Sequence, residues 1–266
     1  MNRYSSDTVL EDAGIKRREL SFFLLVTFAF SWVVWSPLFV PSLVVAMPLG
    51  GIELLSLGAF GPAVGGLAVV RSRGDNVRSW LKRRFHWRVG FRWYLLVFGL
   101  PVGILLVGGM IFVVVGGELT HTPPLYVLPL VFVYATVIGG GQEEIGWRGV
   151  AQPLVEGRCG VFGGGAVVGL FWVLWHIPLL ASSTLPFEST NPVVFSVQTV
   201  GISVLLAWLY DGAERSVVLA MLFHGWRNAT EAFYPPDTLA RIIAVAVIWT
   251  VVLVVVTAER RRTGRA

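Results

Sequence analysis

Three short stretches of this chain place ionisable and amide side chains inside runs that are otherwise apolar. They are Gly141 to Leu154 (GQEEIGWRGVAQPL), with Glu143, Glu144 and Arg148; Phe171 to Leu180 (FWVLWHIPLL), with His176; and Phe223 to Glu231 (FHGWRNATE), with His224, Arg227, Asn228 and Glu231. Such groups are costly to hold in an apolar medium, so each is a candidate for chemistry. On a helix advancing about 100° per residue, Glu144 and Arg148 share a face and can pair, while Glu143 points elsewhere without that partner. An unpaired, half-buried carboxylate is the kind of group that acts as a general base near neutrality. Trp172, four residues before His176, is in register to stack on the imidazole and orient it. His224 and Asn228 are also four apart, and Arg227 and Glu231 form a second such pair that neutralises itself. That leaves an imidazole and an amide side by side, two neutral donors suited to a developing oxyanion. Taken singly, each stretch also has a structural reading: charges capping a broken helix, a histidine packed against a carbonyl, or polar groups bonding helix to helix.

The elements that must position these groups are membrane helices. Of 266 residues, 55% are hydrophobic and only 14% charged, where a soluble domain has about a quarter charged. Thirty Gly, 14 Pro and 11 Trp fit a bilayer protein, and the single cysteine, Cys159, excludes a disulfide-stapled fold. Apolar stretches predict about eight spans: Ser21 to Val45, Ile52 to Val70, Trp93 to Val115, Leu125 to Ile138, Phe162 to Ala181, Val193 to Tyr210, Ser216 to Tyr234 and Leu239 to Val256. The fourth is short and runs into Gly139, Gly140 and Gly141, where the helix should break. The first is too long, and lacks the cleavage pattern, to be a removable signal. The fold class is therefore an all-α, polytopic membrane helix bundle enclosing an intramembrane polar cavity. It forms one transmembrane domain over residues 21–257, between an N-terminal tail (1–20) and a basic C-terminal tail (258–266), with the chemistry in a core over residues 125–235.

Orientation follows from Lys and Arg, because short basic loops stay in the cytoplasm. Lys16, Arg17 and Arg18 precede the first span, Arg73 to Arg88 separate the second and third, Arg158 and Arg215 follow the fourth and sixth, and Arg260, Arg261, Arg262 and Arg265 end the chain. The loops around 116–124, 182–192 and 235–238 carry no Lys or Arg. Both termini are expected in the cytoplasm. The net charge of +5 points to anionic lipid rather than nucleic acid, since the basic residues border apolar spans. Ser79 to Trp93 interleaves aromatic and basic residues as an interfacial, anchoring loop does.

The three stretches in order, Glu143-Glu144-Ile-Gly-Trp-Arg148, Trp172-Val-Leu-Trp-His176 and His224-Gly-Trp-Arg-Asn228, resemble the motifs EExxxR, (F/W)xxxH and HxxxN of the CPBP family. Its members are the type II CAAX prenyl endopeptidases and the bacteriocin-processing or immunity proteins. The resemblance covers about residues 138–230 and leaves the first three spans matched only in hydrophobicity. It implies that Glu143 and His176 activate a water, that His224 and Asn228 hold the oxyanion, and that Glu144 and Arg148 support the site, with Trp172 at a position often filled by Phe.

The chemistry expected is peptide hydrolysis without a covalent intermediate, because no Ser or Cys in these motifs stands beside a base. No cofactor is required by it. A zinc-dependent version would draw its ligands from Glu143, His176 and His224, although HExxH is absent. The substrate implied is a prenylated or membrane-embedded peptide, and the cavity is expected to open toward the cytoplasm or inner leaflet. Two other classes share the polar clusters: a non-enzymatic immunity or scaffold protein, and a transporter with a Glu and His proton relay, which would more often carry paired repeats.

Overall fold

A computed structural model describes residues 3–40, 50–119, 124–182, 191–234 and 237–263, and among them there is helix and no strand. The principal helices are α1 (Arg3–Phe39), α2 (Gly51–Gly58), α3 (Gly61–Ser72), α4 (Val77–Arg84), α5 (Phe91–Val114), α6 (Leu128–Val137), α7 (Gln152–Trp175), α8 (Ile177–Leu180), α9 (Pro192–Gly212), α10 (Val217–Glu231) and α11 (Thr238–Thr263). Six described runs are long and apolar enough to cross a bilayer: 14–39, 51–72, 91–114, 125–175, 192–212 and 238–262. The 51-residue run holds the fourth expected span and most of the fifth. The seventh expected span is α10, only 15 residues long and carrying the third polar stretch. The loops 120–123, 183–190 and 235–236, on which the face opposite the basic loops was read, lie outside the described residues. The N-terminal tail is already helical from Arg3 onward.

Sequence determines where several helices begin. Asn76, Asn191 and Ser216 each accept a backbone N–H from the first turn of the helix that follows, and Pro192 stands at the first position of α9. Lateral packing uses small residues and single polar bonds, since hydrocarbon supplies no hydrophobic drive between helices. The Ser31 hydroxyl donates to Gly58 O (2.7 Å) between α1 and α2, Ser203 to Gly165 O (2.7 Å) between α9 and α7, and the Trp226 indole to Phe98 O (2.8 Å) between α10 and α5.

The charged segments gather at one end of the bundle. There Arg73 makes two hydrogen bonds to Glu19 (2.6 and 2.7 Å), Arg215 pairs with Glu156, Arg84 reaches Tyr210 (3.3 Å), and Ser216 donates to His86 O (2.5 Å). Trp208 and Glu259 meet at the same end (3.4 Å). In the aromatic and basic segment, Trp80 is buried, Trp87 is exposed with Arg88 over its ring, and Arg92 lies over the buried Trp93.

Candidate active site

The first polar stretch sits in the interior of the bundle, between α6 and α7. After α6 the chain breaks at Gly139 and Gly140, makes a tight 3-10 turn (Gly141–Glu143) and one α turn (Glu144–Gly146), then widens into a π turn (Trp147–Ala151) before α7. Gly140 has φ 135°, a backbone open to glycine alone. A Cβ on it would lie 2.6 Å from Asn228 Nδ2 and 2.8 Å from His224 Nε2. Those two nitrogens therefore converge on one point, and the missing side chain keeps it clear. Because the helix resumes beyond Glu143, the carboxylates lie well inside the bundle, rather than near the basic face as their distance from Leu125 suggests.

The two adjacent glutamates have different surroundings. Glu144 is fully buried, with Oε2 3.2 Å from Arg148 Nη1 and Oε1 2.8 Å from His224 Nδ1. Arg148, also fully buried, donates from Nη2 to Ser203 O (2.8 Å) and Oγ (2.7 Å), and its guanidinium lies 5.9 Å from the Trp172 ring centroid. Glu143 is buried too, and its Oε2 has no hydrogen-bond partner among the described residues. The Trp147 and Trp172 indoles are its polar neighbours, but neither N–H closes a well-formed hydrogen bond. Register along the helix gave this division, and the structure reproduces it.

The histidines are held by their Nδ1 atoms. His176 Nδ1 meets Trp172 O at 2.8 Å; a carbonyl only accepts, so Nδ1 carries the proton and Nε2 the lone pair. His224 Nδ1 meets a carboxylate that Arg148 keeps company, so it donates as well. A neutral His224 would then present a lone pair at Nε2. Serving as an oxyanion donor requires the imidazolium, a correction to the reading of two neutral donors, and Glu144 is the counter-ion placed to hold that charge. Trp172 packs against both imidazoles, at centroid distances of 6.0 Å to His176 and 5.0 Å to His224. Asn228 donates to Gly139 O (3.0 Å) and accepts from Arg227 (3.0 Å), while Arg227 pairs with Glu231 at 2.6 Å.

Glu143, His176, His224 and Asn228 all line one cavity of about 350 Å³. Its walls combine Trp35, Leu55 and Phe195 with polar groups that sequence reading did not assign to the site: Ser56, Tyr134, Gln198 and Arg241. Gln198 donates to Glu231 (3.2 Å), and Ser56 and Tyr134 share a hydrogen bond (2.7 Å). The isolated polar letters of the ninth and eleventh helices were the available signal; the helix faces were not known. Cys159 lies in α7 beside the break at Gly160 (φ 67°), away from the cavity. The cavity lies toward the end of the bundle away from the charged segments. Beneath Glu143, toward the basic end, the fully buried Trp147, Arg148, Ala151 and Gln152 close the bundle. Among the described residues no three His, Cys, Asp or Glu side chains come together as a metal-holding group. Glu144, the carboxylate nearest His224, is already shared between that histidine and Arg148.

Residues 124–230 match the family described as type II CAAX prenyl endopeptidase Rce1-like, and these bounds enclose Glu143, Glu144, Arg148, Trp172, His176, His224 and Asn228. The chain resembles this family over that segment. A curated relative, CAAX prenyl protease 2 of Methanococcus maripaludis, is 22% identical over 261 residues, covering 90% of this chain and 93% of its own. That likeness reaches well beyond the segment that carries the motifs. Family and relative are both peptidases by description, and the six apolar runs fit a multi-pass membrane protein.

Proposed function

We propose that the chain is a glutamate-dependent intramembrane endopeptidase that hydrolyses a peptide bond of a prenylated or membrane-embedded substrate, using water and no metal. The observation that carries this reading is the pairing of an unpartnered carboxylate, Glu143, with three further motif side chains around one cavity. Glu143 takes a proton from water while His176 Nε2 accepts the other hydrogen and orients the oxygen for attack on the scissile carbonyl. The tetrahedral oxyanion is met by Asn228 Nδ2 and by His224 Nε2–H as the imidazolium. Collapse of the intermediate returns the proton from Glu143 to the departing amine. Donors fixed before the reaction act chiefly on the charge that develops, so they lower the barrier rather than tighten ground-state binding. The relative's name supports the prenylated peptide as the first substrate to try.

The experiment is cleavage of a prenylated or transmembrane peptide by purified protein in detergent. Cleavage by the wild type that is abolished in Glu143→Ala supports the reading. Full activity of Glu143→Ala would overturn it.

A further inference from the structure

Arg227 and Glu231 pair along α10 as their spacing predicts, but the guanidinium is not spent on that pair alone. Its Nη1 gives one hydrogen to Glu231 Oε2 (2.6 Å) and the other to Asn228 Oδ1 (3.0 Å). Adjacent residues on a helix point about 100° apart, so register alone does not bring Arg227 to Asn228. Glu231 does: it stands four residues after Arg227 and three after Asn228, and it draws the guanidinium across the amide. Gln198 of α9 holds Glu231 in turn, donating from Nε2 to Oε1 (3.2 Å). Behind the pair lies a small recess of about 40 Å³ whose walls include Pro101, Ile104, Leu105, Ala244 and Ile248. These aliphatic side chains offer the guanidinium no competing acceptor.

We infer that Arg227, anchored by Glu231 and Gln198, is a positioning residue that fixes which end of the Asn228 amide faces the reacting centre. The two ends of that amide are assigned by their partners. A guanidinium only donates, so the atom it meets is Oδ1; a carbonyl only accepts, so the atom that meets Gly139 O (3.0 Å) is Nδ2. Turning the amide over would break both bonds at once. In the orientation they impose, Nδ2 stands beside the point kept clear at Gly140, next to His224 Nε2, and has a second hydrogen to offer there. The reversed amide would present a carbonyl oxygen to the same point and repel an oxyanion. A cationic partner on Oδ1 also draws electron density from the amide, which makes its N–H the stronger donor. The inference rests on the peptidase reading for the oxyanion, and on the hydrogen bonds alone for the orientation. A helix pair this exposed, with side chains 20% and 33% accessible, adds little to stability, so its contribution is expected in turnover rather than in folding.

The test is a double-mutant cycle on the full chain in detergent, with a prenylated peptide as substrate and Glu143→Ala as the control. Wild type, Arg227→Met, Asn228→Ala and the double variant are compared in kcat and in KM. Losing a group that orients a metal ligand typically costs about 10- to 100-fold, and Arg227→Met should lower kcat by the same span with KM nearly unchanged. The double variant should match Asn228→Ala within about 2-fold, because an arginine that acts through the amide has nothing left to act on. Wild-type kcat in Arg227→Met, a rise in KM at constant kcat, or losses that multiply in the double variant would each overturn the inference. If Arg227→Met does not fold, Arg227→Gln takes its place in the cycle; its amide can still donate to Oδ1 without the charge, and the same multiplication of losses would overturn the inference. Glu231→Gln, which loosens the anchor and keeps the arginine, should lower kcat less than Arg227→Met does, and a larger loss would assign the effect to Glu231 itself and overturn the order of the chain. Cleavage that is absent, or that survives in Glu143→Ala, would sink the peptidase reading and the role of Arg227 with it; Glu143-dependent cleavage with multiplying losses would sink the role of Arg227 alone.

Discussion

Neutralising one or the other of two neighbouring carboxylates should have very unequal consequences for stability. Glu144 and Arg148 are an ion pair with no solvent exposure, 3.2 Å apart, and each has a further partner, His224 and Ser203. Removing one member of such a pair leaves the other charge buried and uncompensated, at a cost of about 3–5 kcal/mol. That is a large part of a typical stability of about 5–15 kcal/mol, and it lowers the melting temperature by on the order of 10 °C. Glu144→Gln should therefore unfold early, express poorly and lose activity, because the counter-ion of His224 goes with it. Glu143 forms no ion pair among the described residues, so Glu143→Gln should melt within a few degrees of the wild type while losing turnover. Adding Arg148→Met to Glu144→Gln removes both charges and should restore most of the lost stability without restoring activity. Thermal unfolding in detergent, followed by intrinsic tryptophan fluorescence beside a peptide-cleavage assay, reads all of these proteins together with Arg148→Ala. If Glu143→Gln and Glu144→Gln melt alike, or Arg148→Ala folds and cleaves as the wild type does, the division of labour between the carboxylates is refuted.

Asn228→Ala should lower kcat by about 10²–10³-fold with KM nearly unchanged, the signature of a donor that acts in the transition state; a rise in KM at constant kcat would assign Asn228 to substrate binding. Gly140→Ala should abolish cleavage in a protein that still extracts as a folded species, because the new Cβ falls between the Asn228 and His224 nitrogens; unaltered kinetics would show that they do not act together. Strong chelators should leave proteolysis intact, and metal analysis of active protein should find no stoichiometric zinc; one zinc per chain, lost with activity in His176→Ala, would promote a metalloprotease. Reporter fusions at both termini and in the Ser72 to Arg92 loop should all report the cytoplasm, and an external signal from that loop would reverse the assigned orientation.

The primary sequence by itself determined the medium, the helical class and the candidates for the reacting groups. Those are decided by composition and by spacing along one helix: the register that lets Glu144 reach Arg148 and leaves Glu143 alone is a local property, as is the tilted ring contact of Trp172 with His176. The break at Gly139 to Gly141 was equally legible, since glycine's backbone freedom does not depend on distant neighbours. What the chain does after the break was not. Whether the helix resumes downward, as it does through the π turn, depends on what waits to pack beneath it, here Trp80, Val217 and Ser203 from three other elements. That resumption moves the carboxylates from the membrane face to the interior. The convergence of His224 and Asn228 on Gly140, the bond from Glu144 that sets the proton inventory of His224, and the end at which the cavity is open join residues roughly 60 to 100 positions apart. Such meetings are fixed by helix packing, and no periodicity within a single segment encodes them.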